Sequence, residues 1–374
     1  MRFTIDREQF LKGLNVSGKA ISPKSPIPVL SNIKLDMTDS GLVVLGSNTE
    51  LAIETLIPLK IGDKEIIRDY EKGATLIASK FISEIVRRVE GQEITVDVID
   101  DTIVNVSDGR SVFKLNSVKA EEYPDLEMNL NGTEFSLKGD DFKELVEQTA
   151  FAASTKDQRP ILTVLNLEIA NGQVVATATD SARLAKKTVS IQDSTVSVVA
   201  NVPAQVMVEI SRLCENEPEV RISVSDKKIT VALNNTLITS RLISGEYPNT
   251  KHIIPHGFSY YLEANAQELI SAMERVSLLS IERENVIKLT MSEDSVEISS
   301  KSSQIGSAVE KLSVFQYTGE RLEISFNSMY VMQAIRATKC EDVTLAFLGE
   351  MKPFVIKNIK DESHVQLVTP VRTY

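Results

Sequence analysis

Two cysteines and three histidines are all that 374 residues supply of the side chains most used for metals, redox chemistry and nucleophilic catalysis. His252, His256 and His364 do not fall at metal-ligand spacing. No Gly-x-Ser-x-Gly, His-Glu-x-x-His or Cys-x-x-Cys occurs. Gly13-Leu14-Asn15-Val16-Ser17-Gly18-Lys19 has the spacing of a phosphate loop, but Ala20 lacks the hydroxyl that would hold Mg²⁺. A predicted helix also runs into that segment, so Gly18-Lys19 reads as a helix stop. The expectation is a chain with no metal, no cofactor and no catalytic site. No apolar run approaches the about 18 residues of a membrane span. Met1-Arg2-Phe3-Thr4-Ile5-Asp6 reaches an acid at once and has no signal-peptide core, so the expected location is cytoplasmic. Fifty-two acids against 41 bases give a net charge of -11, which argues against a protein coated in nucleic acid. A local basic surface stays open, because the field depends on where charges lie.

One pattern is written three times, about 125 residues apart. Each copy opens with an alternating strand and an amphipathic helix. The openings are Phe3-Thr4-Ile5 with Phe10, Leu11 and Leu14; Phe135-Ser136-Leu137 with Phe142, Leu145 and Val146; and Leu262-Glu263-Ala264 with Leu269, Ile270 and Met273. An apolar strand follows, over Val29 to Leu35, Ile161 to Leu167 and Val286 to Leu289. Glu122-Tyr123-Pro124 and Glu246-Tyr247-Pro248 close the first two copies. Cys214 and Cys340 fall at matching places late in predicted helices, which suits core packing better than a disulfide. Strand signals dominate, as at Leu42 to Leu45, Val220 to Val224 and Lys228 to Leu233, with turns such as Asn171-Gly172 between them. The predicted fold is α+β: three tandem similar domains at 1–127, 128–254 and 255–374, each with antiparallel sheets and two helices. The helices are predicted over 7–17, 79–90, 140–152, 203–215, 266–278 and 328–339, capped by Asp6, Ser79, Asp140, Asn265 and Asn327 among others.

The helices carry Lys12, Lys80, Arg87, Arg88, Lys143, Arg212, Arg275, Arg336 and Lys339. Basic loops add Lys24, Lys156, Arg159 and Arg283 at one place in the repeat. If the helices share a surface, these bases suit contact with phosphates without base readout. They equally suit the solvated faces of ordinary amphipathic helices.

Ile27-Pro28-Val29-Leu30-Ser31-Asn32, Glu122-Tyr123-Pro124, Ala178-Thr179-Asp180-Ser181-Ala182-Arg183-Leu184-Ala185, Gly245-Glu246-Tyr247-Pro248 and Thr369-Pro370-Val371-Arg372 stand in an order that resembles the β sliding clamps of bacterial DNA polymerase III. The resemblance covers the whole chain. It implies a head-to-tail homodimer, a ring of six domains around duplex DNA that makes the polymerase processive. It also implies a pocket for peptides of the polymerase, the clamp loader and other partners. Matching pocket positions are Leu162, Thr179, Ser181, Arg183, Leu184, Pro248, His252, Ile253, Asn327, Tyr330, Met351, Leu367, Val368, Thr369, Pro370, Val371 and Arg372. Matching seam positions are Arg110 and Phe113 on one copy, with Leu278 and Leu279 on the helix of the other. Departures are Ser181-Ala182 where some relatives have Gly-His, His252 where some have another base, and the extension Thr373-Tyr374. The alternatives are a peptide-binding repeat scaffold without DNA and an enzyme with an interdomain cleft.

Overall fold

Strands form where alternation is regular. In the computed structural model, which describes every residue except 23–24, 101, 157, 215–216, 281–284 and 373–374, Val220–Val224 and Lys228–Leu233 occupy the predicted positions. They pair antiparallel, with Ile222 opposite Val231. Asn171 and Gly172 both take positive φ, 53° and 74°, the backbone that a two-residue hairpin between twisted strands requires.

The chain divides into two compact units, Met1–Leu137 with Glu217–Leu242, and Lys138–Asn216 with Ile243–Tyr374. The first unit carries a 13-stranded antiparallel sheet and the helices α1 (Arg7–Gly18) and α2 (Ser79–Arg88). The second carries a nine-stranded and a four-stranded sheet with α3 (Gly139–Glu147), α4 (Ala204–Leu213), α5 (Ala266–Ser277) and α6 (Ser328–Thr338). The helices of each repeat pack as pairs, α1 on α2, α3 on α4 and α5 on α6.

Several local expectations are corrected. Val29 to Leu35 and Ile161 to Leu167 do not begin as strands. Proline opens a 3-10 turn at Pro28–Ser31 and Pro160–Leu162, and the strands start at Asn32 and Val164. Asp6, Asn265 and Asn327 cap their helices, accepting from Gln9, from Gln267 and Glu268, and from Tyr330. Ser79 is instead the first helical residue of α2, and Lys138 rather than Asp140 precedes the helix at α3. The helix predicted over 140–152 ends at Glu147 and resumes as the 3-10 turn Ala150–Ala152, because the Thr149 hydroxyl turns back to the Leu145 carbonyl.

The cores explain the repeated apolar positions. Phe3 and Phe10 are fully buried with ring centroids 6.0 Å apart, beside Leu14, Ile82 and Val86. Leu262, Leu269, Met273, Phe326 and Phe354 hold the corresponding place in the third repeat. Gly13 of the phosphate-loop look-alike lets α1 lie on the strand Leu51–Pro58. A Cβ there would stand 2.6 Å from Ile57 Cδ1. Its glycine is a packing device.

Candidate functional site

The second and third repeats are joined inside the second unit by two antiparallel strands, Arg183–Ser190 and Asp361–Val368. Arg183 lies opposite Val368 and Leu184 opposite Leu367. Successive residues of a strand point to opposite faces, so these pairs look different ways. Leu184 and Leu367 share one face with Ala346 and Val355, packed against Ile254 and Phe258. Val368 is fully buried in the core of the third repeat with Val331 and Phe354. Val368 therefore does not face a groove with Leu367, a correction that the period of two makes necessary.

The turn before Leu184 is tightly specified. Ser181 has φ 80°, in the left-handed region. Its amide donates to Thr179 Oγ1 at 3.1 Å, while Asp180 Oδ1 accepts from Ala182 and Arg183 amides at 2.9 and 3.1 Å. Thr369 continues the ladder, its amide and hydroxyl donating to the Ala182 carbonyl at 2.9 and 2.8 Å. The tail then crosses to the third repeat, where the Val371 amide meets the Ser325 carbonyl at 2.7 Å. Arg183 is stacked over Tyr330 at 4.4 Å and Phe151 at 5.4 Å, pairs with Asp180 at 3.0 Å and contacts Gln333. Phe151 and Gln333 were not singled out from the sequence, since they meet Arg183 only across segments far apart in the chain. Asn327 caps α6 just before Tyr330.

Leu162 is buried at the end of its 3-10 turn. Pro248, His252 and Ile253 are exposed on the segment that leads into Ile254. Met351 and Val371 are exposed apolar residues, Pro370 is half-buried and Arg372 exposed. The Tyr247 phenol is pushed upward by burial, opposed by the backbone of Thr179 beside it. The Tyr-Pro exit of the middle repeat thus packs next to the Thr179 turn. Thr373 and Tyr374 lie outside the described residues.

The opposite face of the same strand pair holds a buried charge cluster. Lys187 Nζ, only 5% exposed, lies 3.0 Å from Glu144 on α3 and 3.1 Å from Asp361. Asp361 also meets His364 Nδ1 at 3.1 Å. Burial pushes the Asp361 carboxyl up, but hydrogen bonds from Ser363, His364 and Lys187 outweigh it and hold the group far below the usual carboxylate range. Gln366, fully buried, donates to the Gln148 carbonyl at 2.8 Å. Lys187 was not singled out because a lysine in an alternating strand reads as solvent-facing.

The helix bases are less cationic than a count of lysine and arginine suggests. The six helices hold nine bases and nine acids, so the charge of -11 lies outside them. Arg87 and Arg88 pair with Glu84, Arg212 with Glu209, and Arg275 with Glu310. Arg336 meets Glu274 at 2.6 Å and Lys339 meets Glu147 at 2.6 Å. Most of these arginines thus have a carboxylate a turn away or on a neighbouring element. Lys12, Lys80, Lys143 and Lys156 have no ion-pair partner among the described residues. Lys24 and Arg283 lie outside the described residues.

Two of the open sheet edges bear on how copies of the chain could meet. Val112–Val118 pairs with Ile103–Ser107 on one side, but on the other only Ser117 and Val118 are paired. Gly306–Lys311 ends the four-stranded sheet. Val112 and Val309 on these edges are 68% and 67% exposed. Beside the first edge is a cavity of about 460 Å³, lined by Phe81, Ile85, Arg110, Phe113 and neighbours. Leu278, 67% exposed, follows α5. Leu278 and Leu279 are not on the helix as expected, because the chain tightens after Ser277, with Leu278, Leu279 and Ser280 amides turning back to Arg275, Val276 and Ser277 carbonyls.

Sequence patterns of the DNA polymerase III beta subunit match the chain throughout: the N-terminal domain over residues 1–127, the central domain over 136–249 and the C-terminal domain over 251–372. The beta sliding clamp of Bacillus subtilis (strain 168) is 35% identical, with all of both chains covered. The solved sliding clamp of Bacillus subtilis superposes over all of both chains with a TM-score of 0.96 at 34% identity. A Pseudomonas aeruginosa clamp solved with griselimycin bound gives 0.93 at 25%, again over all of both chains. Three repeats of strand, helix and sheet, matched end to end in sequence and in backbone, leave one assignment: the chain belongs to the DNA polymerase III beta subunit family, the beta sliding clamps.

Proposed function

We propose that two copies of this chain close head to tail into a ring that encircles duplex DNA and makes the replicative polymerase processive. The full-length match to sliding clamps carries the reading. In it the chain is a cytoplasmic protein of three domains, 1–127, 128–254 and 255–374, and supplies no catalytic step of its own. Seams form where Arg110 and Phe113 of one copy meet Leu278 and Leu279 of the other. Exposed Leu278 and the cavity beside Phe113 are complementary apolar features. Pairing the open edges removes the aggregation hazard that free strands carry.

Unpaired lysines beside ion-paired arginines suit a loose, sliding contact. Lys12, Lys80 and Lys156 are available to phosphates, whereas Arg87, Arg88, Arg212, Arg275, Arg336 and Lys339 exchange a carboxylate for a phosphate. Lys24 and Arg283 are assigned to the same contact from the repeat pattern. A topological link makes tight binding unnecessary, so diffuse contacts with phosphates suffice.

Partner peptides of the polymerase and the clamp loader are assigned to the Thr179–Leu184 turn, Leu367 and the tail through Arg372. Exposed Ile253, Met351 and Val371 supply apolar rims, with Pro248 and His252 beside them. The test is primer extension on a long circle by the cognate polymerase and loader. Long products are expected only with this chain present, and equal product lengths without it would overturn the reading.

A further inference from the structure

The chain makes one strand contact twice within itself. Thr236–Arg241 pairs antiparallel with Leu51–Pro58, Ile238 opposite Ile53. Asp361–Val368 pairs with Arg183–Ser190, Gln366 opposite Ala185. Each time the last strand of one repeat lies against the fourth strand of the repeat before it.

Partners followed across the sheets fix the equivalent residues. In the first repeat Phe3 faces Val96, which faces Val106, which faces Phe113. In the middle repeat Phe135 leads through Ile222 and Val231 to Ile238. In the third, Leu262 leads through Leu345 and Ile356 to Gln366. Phe113, Ile238 and Gln366 are therefore equivalent. The other strands follow likewise. Leu35 leads through Val44 to Thr55, Leu167 through Ala176 to Lys187, and Leu289 through Ile298 to Glu310. Two residues back, Ile53, Ala185 and Ala308 are equivalent.

Among the described residues, the last strand of the first repeat, Val112–Val118, and the fourth strand of the third, Gly306–Lys311, lack this contact, and each leaves an edge open. Resting on the head-to-tail ring proposed above, we infer that a second copy of the chain repeats the register there and sets Lys311 opposite Arg110, a like-charge pair that weakens closure at both seams. Ala308 then faces Phe113 of the second copy, and Val309 faces Val112. Lys311 and Arg110 are exposed; Lys311 lies two residues from Val309 on the same strand, and Arg110 stands in the turn two residues before Val112. Glu297 stands opposite Lys311 within their own sheet without an ion pair between them, and two further acids are engaged elsewhere or screened by water. Glu310 is held by Arg275, whose hydrogen bond keeps that carboxyl below its usual range. Glu90 reaches Arg110 only at 3.3 Å, with both side chains about four-fifths exposed, at 83% and 79%.

The dimer dissociation constant, measured by sedimentation across a range of NaCl, tests the register. Like charges directly opposite on neighbouring strands repel, and the ring contains the pair twice, so Lys311→Glu is expected to tighten the dimer about tenfold. The unmodified dimer tightens as NaCl screens the repulsion, whereas the Lys311→Glu dimer does not. Adding Arg110→Glu to Lys311→Glu restores like charges and removes the gain. A dissociation constant unchanged or raised by Lys311→Glu, or a gain that survives in the double variant, overturns the register. An unmodified chain that stays monomeric at every concentration overturns the ring reading beneath it.

Discussion

Lys187→Ala probes the joint between the second and third repeats, which carries the proposed peptide site. The ammonium is almost fully buried between Glu144 and Asp361, at 3.0 and 3.1 Å. Truncation leaves two carboxylates facing each other without their cation. Breaking a buried pair costs about 3–5 kcal/mol. Here the carboxylates are 37% and 32% exposed, so water screens part of the loss. The expected cost is about 2–3 kcal/mol, confined to the strand pair Arg183–Ser190 and Asp361–Val368. Native-state hydrogen exchange reads it as roughly a hundredfold fall in protection of the amides in that ladder. Thr55 holds the equivalent place at the other joint, 3.3 Å from the Thr236 hydroxyl. As a neutral hydrogen bond it is worth about 1 kcal/mol, so Thr55→Ala is the control. A loss below tenfold at Lys187→Ala, or no greater than at Thr55→Ala, would refute the reasoning.

Leu184→Ala is expected to lower affinity for a clamp-binding peptide about tenfold while the dimer mass stays the same, because Leu184 is buried in the row with Leu367 rather than at an open edge; calorimetric titration and sedimentation check both parts. Ser181→Gly relieves a left-handed residue and is expected to raise stability by about 1 kcal/mol in denaturant unfolding. Phe113→Ala removes a side chain that lines the cavity at the proposed seam, and mass measurements at low concentration should find more monomer. Asp361 has a depressed carboxyl, so its contribution is complete at neutral pH and is lost as pH falls through and below the ordinary carboxylate range. Asp361→Asn should therefore flatten the acid limb of a melting-temperature profile taken between about pH 2 and 6.

The strands and their repeat were legible because alternation is a local property. Val220–Val224 and Lys228–Leu233 formed over the residues read from the pattern. Boundaries governed by specific side chains were harder. Pro28 and Pro160 looked like strand openings but start 3-10 turns, and Thr149 interrupts a helix that apolar spacing would have continued. The resemblance assigned Leu367 and Val368 together to one peptide site, whereas the period of two turns them to opposite faces. Lys187, Glu144 and Asp361 stand in segments up to 217 positions apart, and no local signal unites them. Counting helix bases alone passed over the carboxylates that pair with most of the arginines.

A sliding clamp holds DNA by topology rather than by affinity. The decisive measurement is retention of the chain after a clamp loader has placed it on closed circular DNA and on the same DNA cut once. Retention on the circle in high salt, with rapid loss from the cut molecule through its ends, is expected. Equal, salt-labile release from both would contradict it.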